Sequence, residues 1–317
     1  MKASLSPMYG KASGTEFVKI AEIVRLLSEQ AIDFSIPNKE LIGDDAAVID
    51  FQALKLNLFA SDMMVENIHF RTSYFKEADI GYKSMATNVS DMAAMGGYPV
   101  YATISLAAPR YFDIMAFYKG VRDACKEYGF HVAGGDLSSS DLIVVSVAMI
   151  GSCFGDPVLR STAMAGDMIF VTGPLGGSAQ GLKLLTEQPG ATGPLVERHL
   201  RPRARIREAQ AISKAKATAL IDISDGLIAD LNHICENSGV GAELAEIPAA
   251  TGASTEAAMY GGEDYELVFT HPDPAVVESA FSSLGLRKPH LIGSIRSHKG
   301  ITLNGTPVEI RGYQHIL

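Results

Sequence analysis

The sequence predicts an α+β protein of two domains with mixed sheets, on three observations. Its 317 residues exceed one typical domain and suit two of roughly 150. Short apolar runs of strand length alternate with helix-period segments, and the connections between runs are of both hairpin and helix length, unlike those of a uniformly doubly wound sheet. A stretch rich in glycine and small residues, GSCFGDPVLRSTAMAGD, marks a break near 151–166, so the expected domains are 1–155 and 156–317.

The first element is a helix. Residues 16–29, EFVKIAEIVRLLSE, put Phe17, Ile20, Val24 and Leu27 on one amphipathic stripe. Strand-length runs follow at AAVID (46–50), LNLFA (56–60), VYATISLA (100–107), LIVVSVAMIG (142–151) and MIFVTG (168–173), with helix patterns near 78–95, 113–128, 177–187 and 203–217. Beyond the break, TALIDI, VGAEL, YELVFT and HLIGSI read as short strands, and helices are expected at 227–237 and 274–284.

Composition narrows the function. With 47% hydrophobic and 20% charged residues, the chain is of ordinary globular type. No apolar run reaches the 18 or so residues that span a bilayer, and the start, MKASLSPMYG, lacks a signal-peptide core, so a cytoplasmic protein is expected. Three widely spaced cysteines, Cys125, Cys153 and Cys235, suggest buried thiols and neither a disulfide framework nor a zinc site. Thirty-six acids against 27 bases give a charge of −9, which argues against a nucleic-acid groove, because such a surface needs Lys and Arg. A polyanion held through divalent cations stays open.

The acids are distributed unevenly. Asp44-Asp45 precedes AAVID, Ser61-Asp62 follows LNLFA, Asn88 and Asp91 share a helix face, Gly134-Gly135-Asp136 closes FHVA, and Asp222 and Asp225 stand in DISDGLIADL. Most of these stations fall where a strand meets a loop. In DISDGL the turn leads into a helix, so Asp225 or Ser224 could serve as the N-cap; a cap accounts for one polar residue and not three. Carboxylates gathered near one point repel each other unless a cation holds them, and oxygen donors with few Cys or paired His suit Mg²⁺ together with phosphates. Familiar nucleotide motifs are missing: there is no G-x-x-x-x-G-K-[ST], and GPLGGSAQG at 173–181 lacks the lysine of such a loop and reads more readily as a tight turn.

Taken in order, GDDAAV, SDMMVENIHF, NVSDMAAMG, GGD, LRSTAMAGD, VTGPLGGSAQGL, DISDGLIADL and GGEDYELVFT closely resemble the thiamine-monophosphate kinase family. That family sits in an ATP-binding superfamily with aminoimidazole ribonucleotide synthetase and selenophosphate synthetase. The resemblance runs from about Phe17 to Tyr313. It implies a two-domain PurM-like fold, a homodimer joined through N-terminal sheets, and Mg²⁺-dependent transfer of the γ-phosphoryl group of ATP directly onto thiamine monophosphate. Carried over by position, it implies Asp45, Ser61, Asp62, Asp91, Asp136, Asp222 and Asp225 as ligands of several Mg²⁺ ions, with Asp44 adjacent. Gly135, Arg160 and Ser224 would bind ATP, and His69, Glu263 and Tyr313 would bind thiamine monophosphate. No catalytic base is nominated, since the attacking phosphate oxygen is already ionised.

The chain departs from the family pattern in two places: in the second motif Ser61 stands where Thr is frequent and Glu66-Asn67-Ile68 precedes His69 where a small pair is frequent, and the tail reads GYQHIL where G-aromatic-x-H-F is frequent. One alternative is another ATP-using enzyme of the superfamily. Against it, the first cysteine is Cys125 in an amphipathic helix, and the chain ends HIL and not in the cysteine of a hydrogenase maturation protein. The other alternative is a non-catalytic protein that binds divalent ions and nucleotide.

Overall fold

The computed structural model describes residues 16–28 and 55–313. The strand expected at 46–50, with Asp44 and Asp45, lies outside the described residues. Helix α1 (Glu16–Ser28) buries Leu27 and Ile23, while Val24 is half-buried.

A four-stranded sheet contains β1 (Leu58–Val65), β2 (Gly97–Ala108), β3 (His131–Ser139) and β4 (Val144–Cys153). Its order is β1-β4-β2-β3, with β3 parallel to β2 and the other pairs antiparallel. One face packs against helices α2 (Glu77–Ala94) and α3 (Ile114–Tyr128), where Ile104, Val145, Val147 and Met149 meet Ile80, Met85, Phe117 and Val121. The two helices approach closely because glycine stands at the crossing. A Cβ on Gly81 would sit 2.1 Å from the Phe117 carbonyl oxygen, and one on Gly120 would sit 1.8 Å from that of Ala78. The opposite face carries Phe59, Ser61 and Met63 of β1 and Thr103 and Ser105 of β2, all exposed.

The second sheet has seven strands, β5 (Met168–Val171), β6 (Ala219–Asp222), β7 (Gly241–Leu244), β8 (Leu267–His271), β9 (His290–Arg296), β10 (Gly300–Leu303) and β11 (Thr306–Pro307), in the order β11-β10-β7-β9-β5-β8-β6. Among the described residues of this sheet only β10 and β7 pair in parallel, so both sheets are mixed, as expected. Helices α4 (Gly177–Glu187), α5 (Pro194–Leu200), α6 (Ile206–Ala215), α7 (Leu227–Ser238), α8 (Thr255–Tyr260) and α9 (Pro274–Ser283) complete this half. Strands β5, β6 and β8 are covered on both faces, which is why they read as continuous apolar runs. Ile169, Ile221 and Val268 pack with Leu227 and Leu231 of α7; Phe170, Leu220 and Phe269 pack with Ile212 of α6 and Phe281 of α9. Phe170, Phe269 and Phe281 stack at 5.2 and 6.1 Å between centroids.

Two expectations are corrected. The strand expected at 56–60 continues to Val65, and the one closed by Gly134-Gly135-Asp136 continues to Ser139, so Asp62 and Asp136 lie inside strands, paired with Val147 and Ser105. A ladder is made by the backbone, and an edge strand accepts polar side chains. Elements as short as α5, α8, β10 and β11 carry no periodicity from which to read them. Cys125 and Cys235 are buried, Cys153 is partly so, and none of the three is joined in a disulfide. Among the described residues, no helix is long and apolar enough to cross a membrane.

Candidate functional site

The two halves meet along α2. Lys83, Thr87 and Asp91 recur every four residues on this helix, hence on one stripe, and all three line a cavity of about 480 Å³. Strand β1 and the following loop supply Asp62 and His69; the other half supplies Asp222, Ser224, Asp225 and Glu263, and Tyr313 lies at its wall. The stripe is Lys83–Thr87–Asp91 and not the Asn88–Asp91 pair expected from sequence. The buried Asn88 amide instead donates to the Ser84 carbonyl at 3.0 Å.

Acids occupy one end. Asp91 stands in the last turn of α2, where the carbonyl end of a helix disfavours negative charge. Asp222 ends β6, and the Ser90 hydroxyl of α2 donates to its Oδ2 at 2.6 Å. Burial raises the Asp91 carboxyl well above the ordinary carboxylate range, and repulsion from Asp222 and Asp62 adds to this; Arg160 opposes it. Burial also raises Asp222, against the Ser90 hydrogen bond and Arg160 and with repulsion from Asp62. Asp62, though open to solvent on one side, is raised by burial too, with a Thr87 hydrogen bond and the electrostatic attraction of His69 acting downward. Arg160 itself is exposed.

The turn carrying Ser224 and Asp225 is built by a residue that the sequence reading passed over. Helix α7 has Gly226 at its N-cap, at φ 122°, with no side-chain cap bond. Neither Asp225 nor Ser224 fills that role, because the glycine backbone takes the position. Instead Asp230 Oδ2 accepts the N–H groups of Ser224, Asp225 and Gly226 at 3.1, 3.1 and 3.0 Å. Its signal lay in the quoted DISDGLIADL, one helical turn past the glycine. A side chain on Gly226 would also strike the Tyr260 carbonyl, 2.8 Å from the added Cβ.

Glu263 and Tyr265 both adopt positive φ, 64° and 50°, a conformation rare for such residues and frequent at functional sites. Their N–H groups donate to Ser224 and Ile223 carbonyls at 2.8 and 2.9 Å, zipping this segment to the Asp225 turn. Between them Asp264 points the other way and accepts N–H groups from Gly176 and Ser178. That carboxylate occupies the amides with which GPLGGSAQG would cradle a phosphate, so the loop is a tight turn closed from inside. His69 Nδ1 accepts the Val65 N–H at 2.9 Å, which leaves Nε2 as the protonated nitrogen. The Tyr313 N–H donates to the Asp225 carbonyl at 3.1 Å, docking the tail on the same turn.

Asp62, Asp91, Asp222, Asp225, Ser224, His69, Glu263 and Tyr313 therefore share one cavity, and Arg160 acts on two of its acids. Ser61, Gly135 and Asp136 are outside its wall. Ser61 lies on the exposed face of β1, two residues before Met63, which does line the cavity, and Asp136 is exposed on β3, an edge strand among the described residues. Gly135 meets β2 so closely that a Cβ would lie 2.0 Å from the Ile104 oxygen. Asp45 lies outside the described residues. Among the described residues, no three carboxylate, imidazole or thiolate groups already converge as a finished metal shell. The donor set nevertheless fits a hard divalent cation: it is all oxygen, and its members lie close enough for their charges to raise one another's pKa.

Comparison with known proteins agrees with this architecture. Residues 43–153 match the family described as AIR synthase related protein, N-terminal domain, and residues 164–305 match the corresponding C-terminal domain. The fold and its cavity thus define an AIR synthase-related protein of the two-domain PurM-like class. The thiamine-monophosphate kinase of Aquifex aeolicus is 38% identical over 295 residues, covering 87% of this chain and 93% of that protein. A solved structure of AaThiL complexed with AMPPCP and TMP has 34% identity and a TM-score of 0.75, covering 98% of this chain and all of that one (100%). The thiamine-monophosphate kinase structure from Stenotrophomonas maltophilia has 30% identity and a TM-score of 0.79, covering 93% and 98%. The chain belongs to the thiamine-monophosphate kinase family and is a phosphotransferase with a phosphate group as acceptor.

Proposed function

We propose that this chain transfers the γ-phosphoryl group of ATP directly onto the phosphate of thiamine monophosphate, giving thiamine diphosphate. The observation that carries the reading is a single cavity with clustered carboxylates at one end and Glu263 at the other, on a chain similar to a kinase solved with AMPPCP and TMP.

The attacking atom is a phosphate oxygen, ionised at neutral pH, so no side chain has to remove a proton. The barrier is repulsion between two anions that must come within bonding distance, and catalysis then consists of positioning and charge compensation. Asp62, Asp91, Asp222 and Asp225 would hold Mg²⁺, which supplies positive charge between the phosphates when bound. Arg160, a permanent cation beside Asp91 and Asp222, faces the nucleotide phosphates. The Ser224 hydroxyl donates to the nucleotide. His69 offers an N–H, Glu263 an acceptor and Tyr313 a ring face to thiamine monophosphate.

The same reading assigns Asp45, Ser61 and Asp136 to metal and Gly135 to ATP, divides the chain at about residue 155, and makes the active protein a dimer. In the sheet order β1-β4-β2-β3, strands β1 and β3 are opposite edges among the described residues, about 14 Å apart at three strand spacings. Asp62 and Asp136 of one protomer therefore serve different sites, and an Asp62 and an Asp136 share a site only where a second copy brings its β3 alongside β1. The face that carries Phe59, exposed among the described residues, is the surface for that contact. Sedimentation should show a dimer at micromolar concentration; a monomer would remove this part.

The kinase reading is tested by incubating the protein with ATP and Mg²⁺, with and without thiamine monophosphate. ADP and thiamine diphosphate should form one for one and only when the acceptor is present. Inorganic phosphate in place of thiamine diphosphate would overturn direct transfer.

A further inference from the structure

We propose that Lys83, with His199 beside it, holds Glu263 as a fixed hydrogen-bond acceptor that reads an amino group on the ring half of the phosphorylated substrate. This rests on the kinase reading and adds to it the residues that select the organic half.

Lys83 is the main observation. Its side chain is 1% exposed, and its ammonium lies 2.8 Å from Glu263 Oε1 and 5.2 Å from the centre of the Phe75 ring. Among the described residues, that nitrogen has no aligned hydrogen bond, so its contribution is a charge beside the carboxylate. Burying an ammonium is costly, and an apolar side chain of similar volume would serve packing at least as well. The lysine therefore acts on Glu263 and not on the core.

His199 closes the other side. It is buried, with Nδ1 3.4 Å from Glu263 Oε2 and 3.1 Å from the Ser178 hydroxyl, and its ring stands edge-on to Phe75 at 5.5 Å. Burial and then the Lys83 charge push its pKa down to about 2, so it stays neutral. The Glu263 charge is thus balanced once, by Lys83. Its backbone is locked at positive φ by the bond to Ser224, and its side chain keeps 28% of its surface exposed.

An ionised carboxylate, here 2.8 Å from a buried ammonium, can only accept hydrogen bonds. Because the pair is neutral overall, it selects an N–H donor more than a cation. The α2 stripe sets the spacing: Lys83 and Asp91 are two helical turns apart, about 12 Å along the axis. A ligand with phosphate at the acids and an amino-bearing ring at Glu263 spans that distance. The aminopyrimidine of thiamine monophosphate is a ring of this kind.

The test compares thiamine monophosphate with the analogue in which the exocyclic amino group is replaced by hydrogen. Binding to folded protein is read by calorimetry, and kcat/KM is measured alongside. Wild type should prefer the amino compound by about tenfold or more. Lys83→Met should lose that preference with the KM for ATP unchanged, and Lys83→Arg should retain most of it. A wild type indifferent to the amino group, or a folded Lys83→Met variant that keeps the wild-type preference, would overturn the proposal. If Lys83→Met does not fold, His199→Phe, which fills the same space without Nδ1, takes its place: a reduced preference supports the proposal and an unchanged one overturns it. Failure of wild type to turn over thiamine monophosphate at all would instead sink the kinase reading, while the calorimetric preference still decides this one.

Discussion

Replacing Asp230 should loosen the site turn while leaving the rest of the fold in place. One oxygen of this buried carboxylate accepts three consecutive N–H groups, and Gly226 among those donors is itself buried. In Asp230→Ala the Gly226 N–H loses its partner out of reach of water, and an unsatisfied buried donor costs about 1–3 kcal/mol. Ser224 and Asp225 are half-buried, so water recovers part of their two bonds. Relief of the carboxylate's burial, which pushes its pKa up to about 8 along with repulsion from Asp222 and Asp225, offsets part of the loss. The expected net is about 2 kcal/mol, and about 1 kcal/mol for Asp230→Asn, whose amide oxygen keeps an acceptor of the same shape. Urea unfolding reads this as a lower midpoint at unchanged slope. Turnover should fall in the same order, because the turn carries Ser224 and Asp225. An Asp230→Ala protein within about 0.5 kcal/mol of wild type and with unaltered kcat would refute the assignment of the turn to this carboxylate.

Asp222→Asn and Asp225→Asn should melt close to wild type yet lose on the order of 100-fold or more in kcat, since about 3 kcal/mol of charge compensation goes with the carboxylate; normal turnover at limiting Mg²⁺ would count against their role as ligands. Asp62, Asp91 and Asp222 are all raised in the fold, so the stability they contribute is complete below about pH 4 and is lost as pH rises through the raised values. Mg²⁺ bound by the ionised cluster opposes that loss, and its increase in Tm should be larger at about pH 8 than at about pH 6; equal shifts would speak against binding at these acids. Tyr313→Ala should weaken thiamine monophosphate by about tenfold, or 1.4 kcal/mol, and spare ATP. The tail stays docked in that variant because the bond to Asp225 is made by the backbone. Tyr313→Phe should bind nearly as wild type, and calorimetry showing equal affinity for Tyr313→Ala would exclude ring stacking.

Much of the architecture was legible in short-range pattern. The continuous apolar runs of β5, β6 and β8 announce strands buried on both faces, and the 227–237 periodicity announces α7, because burial on a strand or helix imposes a local spacing on the chain. The clustered aspartates and the DISDGL turn likewise named most of the cavity's acid end. Where the pattern went silent, the deciding contact was distant in sequence. Lys83 looks like one lysine in an apolar helix until Glu263 is folded against it. The amides of GPLGGSAQG look free until Asp264 takes them. Asp62 and Asp136 look like equivalent stations until the order β1-β4-β2-β3 sends them to opposite edges of a sheet. Residue type and spacing determine which element forms and which of its faces is apolar. Which charge meets which is decided only when α2 is packed between the two sheets, since that packing alone puts groups far apart in the chain within hydrogen-bonding reach and out of water.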